Sequence, residues 1–85
     1  RRNVMALSAV QQALVDAAFP ECRSDMAAYL EKATDVVIIR QRECGDDVPP
    51  FAIVAKGSDF WIDCADTAVA ATSRARELGL NVVPA

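Results

Sequence analysis

The residues best suited to chemistry lie in one short stretch, from Lys56 to Asp63, which holds a lysine, two aspartates and the chain's only tryptophan, Trp61. A lysine and a carboxylate could act as acid and base. The chain has no histidine, however, and histidine is the commonest general base and metal ligand. This absence disfavours most hydrolase and metalloenzyme mechanisms. Lys56 and Asp59 are better explained as an ion pair beside a turn, contributing about 0.2 to 1 kcal/mol.

Three cysteines, Cys22, Cys44 and Cys64, are the other candidates for chemistry. Their number is odd for a disulfide framework and their spacing fits no Cys-x-x-Cys metal motif, so we expect reduced thiols and no metal or other cofactor. Cys44 lies in a predicted loop and is expected to be the most exposed of the three. A nucleophilic cysteine needs a base to remove its proton. Without histidine, a cysteine-dependent enzyme is the third and least favoured functional hypothesis.

The composition is that of a small globular protein: 85 residues, 53% hydrophobic, 25% charged, with a net charge of −3 and a pI near 4.7. We expect one domain over residues 1–85, because a chain this short cannot build two cores. The excess of acids disfavours binding to nucleic acid or to an anionic membrane. No apolar run approaches the ~20 residues that span a bilayer, so we expect a cytoplasmic protein. A homodimer would bury additional apolar surface.

The first part of the chain predicts two helices. Apolar residues recur with helical spacing over residues 4–18, Asn3 could cap this helix, and Phe19-Pro20 would end it. Pro20 suits the first turn of a second helix that extends to Ala33, with Cys22 on its buried stripe. The short connection between the two predicts a helical hairpin or corner.

Three strands are predicted next. The first begins with four β-branched residues, 36–39, which indicate apolar surroundings on both faces. Residues 51–56 and 59–64 form a hairpin through a type II′ turn at Gly57-Ser58, and this turn places Trp61 opposite Val54 and Ile53 opposite Ile62. One face of the hairpin is then apolar: Phe51, Ile53, Ala55, Phe60, Ile62 and Cys64. The other face is mixed: Ala52, Val54, Lys56, Asp59, Trp61 and Asp63.

A third helix follows the hairpin. Asp66 is its predicted N-cap, and Gly79 with Leu80 predicts a Schellman ending. Its small-residue stripe, which suits close packing on a sheet, consists of Ala68, Ala71, Ala75 and Leu78. A short closing strand precedes Pro84. The sequence therefore predicts an α+β fold of order ααβββαβ, with two N-terminal helices, a three-stranded antiparallel meander, a C-terminal helix and a closing strand.

Arg40 and Arg42 alternate onto one face of the first predicted strand, and the meander is followed by the helical stretch CADTAVAATSRA. Over roughly 40 residues this layout resembles the sheet-plus-helix arrangement of integrase arm-type and AP2-like DNA-binding domains. The resemblance implies a βββα module whose sheet residues, Arg40 and Arg42 among them, contact nucleic acid. Acids flank Trp61 here where those domains carry basic residues, so nucleic-acid binding is the second hypothesis.

The leading hypothesis is a non-enzymatic protein-binding module, because tryptophan is enriched among the residues that dominate binding energy. The predicted partner-binding residues are Val54, Lys56, Asp59, Trp61 and Asp63, and the partner is a second copy or another protein of unknown identity. Alternatively, a helix covers the face of Trp61; the sequence leaves this open. Small acidic chains of this kind resemble, as a class and without a shared motif, regulatory and inhibitory proteins of phages and mobile elements, anti-CRISPR proteins among them.

Overall fold

The computed structural model describes residues 7–41 and 48–84. The elements in these residues are α1 (Ala9–Ala17), a 3₁₀ turn (Pro20–Cys22), α2 (Arg23–Glu31), β1 (Asp35–Arg40), β2 (Phe51–Ala55), β3 (Trp61–Ala65), α3 (Ala68–Glu77) and β4 (Asn81–Val82). The predicted α+β class is confirmed, and the order of elements agrees with the predicted one. Predictions for Asn3, Arg42 and Cys44 lie outside the described residues.

The four strands form one mixed sheet in the order β3–β2–β1–β4. β1, β2 and β3 are antiparallel neighbours, but β4 pairs in parallel with β1, so the sheet is not a simple meander. The chain therefore crosses from one edge of the sheet to the other, over three strand spacings of ~4.8 Å each. α3, with ten residues and a length of ~15 Å, spans this distance. β3 and β4 are the edge strands.

The three helices pack on one face of the sheet. β2 contributes Ile53 and Ala55 to this face, and α3 contributes Ala71, Ala75 and Leu78 from its predicted stripe. Ala68, the first residue of that stripe, is exposed. The buried cluster consists of Val15, Met26, Leu30, Val36, Ile53, Ala55, Ile62, Ala71, Ala75, Leu78 and Leu80. Small residues on α3 let the helix approach the sheet closely, which is why it can contact all four strands.

Two helices begin later than the sequence predicts. The N-cap of α1 is Ser8, which forms a capping box with Gln11: the Ser8 hydroxyl accepts the Gln11 N–H at 3.2 Å, and the Gln11 side chain accepts the Ser8 N–H at 2.8 Å. Gln11 Nε2 also donates to the carbonyl of Leu78 at 2.7 Å, which ties α1 to the end of α3. The N-cap of α3 is Thr67 and not Asp66, because the Thr67 hydroxyl accepts a backbone N–H of the first turn.

The end of α3 has the predicted Schellman geometry. The N–H of Leu80 donates to the carbonyl of Ala75, and the N–H of Gly79 donates to the carbonyl of Arg76, both at 2.9 Å. Gly79 has a φ of +74°, which lies in the left-handed region that favours glycine. The chain then turns directly into β4.

The turn between β2 and β3 differs from the predicted two-residue type II′ turn. The N–H of Ala55 donates to the carbonyl of Phe60 at 3.0 Å, so the loop comprises the four residues 56–59. Within it, the N–H of Ser58 donates to the carbonyl of Ala55 at 3.2 Å and closes a β-turn. Gly57 is the third residue of this turn and has a φ of +85°, a conformation that favours glycine there.

A β-bulge then changes the register of β3. Trp61 lies opposite Val54, as predicted, but the next pair is Asp63 with Ile53, so Ile62 is the extra residue. In a bulge, two neighbouring residues of one strand face a single residue of the other. Ile62 is fully buried in the core, and Asp63 contacts a residue of α3 on the same face. The predicted register is therefore correct at Trp61 and wrong by one residue for the rest of β3.

Candidate functional site

The face of the sheet opposite the helices is apolar as well. The register of β1, β2 and β3 places side chains in two rows across the strands, Val37–Val54–Trp61 and Ile39–Ala52–Cys64. We call these six residues the open face, because the described helices all pack on the other side of the sheet. A sheet covered on one side normally alternates apolar and polar residues. The open face departs from that rule, in agreement with the β-branched run of the first strand.

Trp61 is the most exposed residue of the open face, with 44% of its surface accessible, and Ile39 follows with 41%. Val54 lies between Val37 and Trp61 in its row and is only 8% accessible, and Ala52 is fully buried. The exposed side chains therefore flank a packed centre. Trp61 lies on the edge strand β3, and its predicted pairing with Val54 is confirmed.

Lys56 and Asp59 lie in the loop at the end of the hairpin, and both are exposed. The backbone N–H of Lys56 donates to the carbonyl of Asp35 at 2.9 Å, which anchors the loop to β1. The predicted ion pair between Lys56 and Asp59 does not form in the described part of the chain. The prediction fails because the loop has four residues, so Lys56 and Asp59 are not paired across a two-residue turn.

Asp63 lies on the face that α3 covers, where its carboxylate accepts a hydrogen bond from Arg74 Nε at 2.7 Å. This hydrogen bond raises the pKa of Arg74, against a smaller opposing effect of burial; the contact with Glu77 at 2.6 Å also raises it. The other oxygen of Asp63 accepts the backbone N–H of Cys64 at 2.8 Å. Asp63 therefore attaches α3 to β3, and its predicted position beside Trp61 on the mixed face is wrong.

A groove of about 520 Å³ opens where the corner between α1 and α2 faces the beginning of β3. We call it the corner groove. Its lining is mostly apolar and includes Leu14, Ala17, Phe19, Cys22, Met26 and Trp61. Two of the described lining residues are charged, and both are aspartates, Asp59 and Asp63. Because Trp61 belongs to the open face and also lines the corner groove, the two surfaces are continuous.

Arg23, the first residue of α2, fixes the corner. Its Nε donates to the carbonyl of Ala18 at 3.1 Å, and its Nη2 donates to the carbonyl of Asp16 at 3.0 Å. The last carbonyls of a helix lack partners within the helix, and a cation is favourable beside them. Phe19, which connects the two helices, is left 74% exposed. The corner thus presents an aromatic side chain next to the groove.

The structure does not place Arg40 on the open face. Arg40 lies on the same face of β1 as Val36 and Ile38, which belong to or pack against the helix-covered core. Its guanidinium lies 5.9 Å from the centroid of the Phe51 ring. Arg42 lies outside the described residues. The six residues of the open face include no lysine or arginine, the residue types with which a DNA-reading sheet contacts nucleic acid.

The described cysteines are Cys22 and Cys64; Cys22 is a free thiol, and each of the two is half-buried. Cys22 lines the corner groove, although the sequence predicts it in the core. Cys64 lies opposite Ala52 on the open face instead of on the core face, because of the bulge. Within residues 7–41 and 48–84, no three His, Cys, Asp or Glu side chains are grouped as a metal site requires. None of the described helices is long and apolar enough to cross a membrane.

Sequence reasoning missed the corner groove and did not name Val37 and Ile39 as surface residues. The signal for Val37 and Ile39 was present, since both belong to the β-branched run of the first strand. The groove had no comparable signal, because it depends on the angle between α1 and α2. Arg23 sets that angle through hydrogen bonds that no local pattern specifies.

No family model, curated protein or solved structure matches this chain. Its function therefore has to be inferred from the open face and the corner groove.

Proposed function

We propose that this chain is a non-enzymatic protein-binding module whose contact surface is the open face, with Trp61 on its edge strand. The main support is the pair of apolar rows that the described helices leave uncovered. Exposed apolar surface costs roughly 25 cal/mol per Å² relative to buried surface. A contiguous patch of it on a small protein usually marks a contact site.

The open face has the layout of a binding hot spot. Trp61 and Ile39 provide exposed apolar area, and tryptophan is among the residues most enriched where truncation weakens binding most. Val54 and Ala52 lie on the central strand β2, between the strands of Trp61 and Ile39, and both are buried. Buried side chains are closely packed, so the exposed ones have fixed neighbours. A partner would meet a preformed surface and would lose little entropy in ordering it.

A second copy of the chain is the first partner to test. Two open faces can stack as the sheets of a sandwich do, about 10 Å apart. Three strands of about six residues cover roughly 300 Å². Stable interfaces bury ~800 Å² per partner, so we expect a weak dimer with a dissociation constant in the micromolar to millimolar range. A tighter complex would need a partner that also contacts residues beyond the open face.

Pairing through the edges of the sheet is disfavoured. The bulge at Ile62 interrupts the regular backbone pattern of β3, and such bulges protect edge strands from pairing. β4 has only two residues and is closely followed by Pro84, which cannot donate a backbone hydrogen bond. Contacts should therefore come from side chains of the open face.

On this proposal the chain acts by occupying a surface of its partner. Small regulatory and inhibitory proteins of phages and mobile elements, anti-CRISPR proteins among them, act in this way, and we assign the chain to that functional class as part of the proposal. The net charge of −3 is compatible with such a role. The role requires no basic patch, because apolar contact supplies the binding energy.

Light scattering over a range of protein concentrations tests the proposal. The average mass should rise with concentration toward that of a dimer, and Ile39→Lys should abolish the rise because it places a charge on the open face. Val69→Lys is the matched control: Val69 is 78% exposed on α3, on the other side of the sheet. A chain that stays monomeric up to about 1 mM, or an Ile39→Lys variant that associates as well as the Val69→Lys variant, would contradict the proposal.

A further inference from the structure

We propose that the corner groove binds an amphipathic helix of a partner protein, with apolar side chains in the groove and a lysine or arginine beside Asp59. The inference rests on the proposed function, since it assumes that the chain binds proteins, but it concerns a different surface from the open face. Two features of the groove support it: its size and its charge.

The size of the groove suits several apolar side chains. Its volume of about 520 Å³ is roughly three times that of a 150 Å³ cavity that holds a benzene ring. Two of its lining residues, Phe19 and Trp61, are exposed to solvent. Apolar side chains from one face of a helix recur every three or four residues and enter such grooves together.

The charge of the groove selects a basic partner. Asp63 is neutralised by Arg74, but Asp59 is exposed and forms no ion pair with any described residue. The described lining contains no lysine or arginine that could compensate Asp59. A cation beside Asp59 would also lie near the ring of Trp61, whose face attracts positive charge. The net charge of −3 favours the same kind of partner over distance.

Two other occupants fit less well. A second copy of the chain would bring its own Asp59 toward the groove in a symmetric pairing, and the two carboxylates would repel each other. An added β-strand would need a regular edge, which the bulge at Ile62 removes from β3. A basic amphipathic helix avoids both problems. It brings no carboxylate to the groove, and it needs no strand edge because only its side chains enter the groove.

Peptide binding, followed by the emission of Trp61, tests this inference. The probe is a 14-residue peptide of leucine and lysine in helical amphipathic order; two controls replace every lysine by glutamate or every leucine by serine. Trp61 is the only indole in the chain and lines the groove, so binding should shift its emission to shorter wavelength. We expect the leucine–lysine peptide to bind at least ten-fold more tightly than either control.

Variants then locate the site. Asp59→Asn should weaken binding of the leucine–lysine peptide about two- to five-fold, the effect of one exposed ion pair. Asp66→Asn, which removes the same charge beyond the opposite end of β3, should leave binding unchanged. Ala17→Lys fills the groove from an exposed position on α1 and should abolish peptide binding. Ala17→Lys should leave the rise in light-scattering mass intact. Ile39→Lys, in contrast, should abolish that rise and leave peptide binding intact.

Several results would overturn the inference. These are no emission shift up to about 1 mM peptide, equal binding of the glutamate or serine control, or no effect of Asp59→Asn. If Ala17→Lys also abolishes self-association, the occupant of the groove is a second copy and the inference is wrong. The proposed function can fail separately. If Ile39→Lys leaves both self-association and peptide binding intact, the open face is not the contact surface, and the inference about the corner groove is unaffected.

Discussion

Two helices end on a residue with positive φ, and only one of these residues is glycine. α3 ends at Gly79 and α2 ends at Ala33, whose φ is +51°. The ending of α2 has the same backbone pattern as that of α3: Thr34 N–H donates to Tyr29 carbonyl and Ala33 N–H donates to Leu30 carbonyl, each at 3.3 Å. A side chain in the left-handed region costs about 1 to 2 kcal/mol. The sequence predicts Ala33 within the second helix. The Schellman motif could therefore be predicted at Gly79, where glycine indicates it, but not at Ala33.

Ala33→Gly should therefore stabilise the fold, by about 0.5 to 1 kcal/mol, because glycine removes the strain and this gain exceeds its added freedom in the unfolded chain. Gly79→Ala should destabilise by about 1 kcal/mol for the converse reason. A Cβ at Gly79 would meet Gln11 Nε2 at 3.4 Å, an ordinary contact, so the cost comes from φ and not from a clash. Urea unfolding of the two variants measures both changes. Loss of stability in Ala33→Gly would contradict this account of α2.

Among the elements, α3 is attached to the sheet by its small-residue stripe and by one ion pair. The Arg74 and Asp63 side chains are 29% and 22% exposed, so solvent screens the pair in part. The raised pKa of Arg74 means that its contribution persists below its ordinary pKa and is lost only at strongly alkaline pH. Within the neutral range, the arginine therefore introduces no pH dependence.

Arg74→Met should cost about 1 kcal/mol, because it keeps most of the aliphatic contact of the side chain but leaves Asp63 without its cation. Arg76→Met is the control, since Arg76 lies on the exposed side of the same helix and forms no ion pair with a described residue. Thermal or urea unfolding gives the difference between the two variants. Equal stability of Arg74→Met and Arg76→Met would show that the stripe alone holds α3.

The elements themselves could be predicted, but the register of the hairpin could not. Helical and strand periodicity located the helices and strands, and Gly57 correctly indicated a turn. Gly57 is compatible with either a two-residue or a four-residue loop. The choice depends on tertiary contacts: the Phe60 ring stacks on Tyr29 with centroids 4.8 Å apart, and Ile62 is fully buried in the core. Tyr29 belongs to another element, so a hairpin pattern could not include it.

The residues of the candidate site also fall into those that the local pattern could place and those that it could not. Trp61 and Val54 could be predicted as neighbours, because Trp61 precedes the bulge and keeps the register that the turn suggests. Asp63 could not be placed, because the bulge turns it toward α3. Asp59 was predicted on the mixed face of the hairpin, but it lies in the four-residue loop and lines the corner groove together with Trp61.

At the scale of the whole molecule, the described chain is a layer of helices on one side of a sheet that is apolar on both sides. Burial of the helix-covered side accounts for the core. The run from Val36 to Ile39 supplies apolar residues to both sides, and the described helices cover only one of them. Association is the direct way to cover the second side, which makes Trp61 and Ile39 contact residues in this account.

The most direct test of the open face as a contact surface is the emission of Trp61, together with its quenching by acrylamide, from about 1 µM to about 1 mM protein. At low concentration we expect red-shifted, readily quenched emission, because Trp61 is 44% exposed. At high concentration the emission should move to shorter wavelength and become protected, and Ile39→Lys should prevent this change. Blue, protected emission in the dilute monomer, or red-shifted emission that stays fully quenchable while light scattering shows a dimer, would contradict the account.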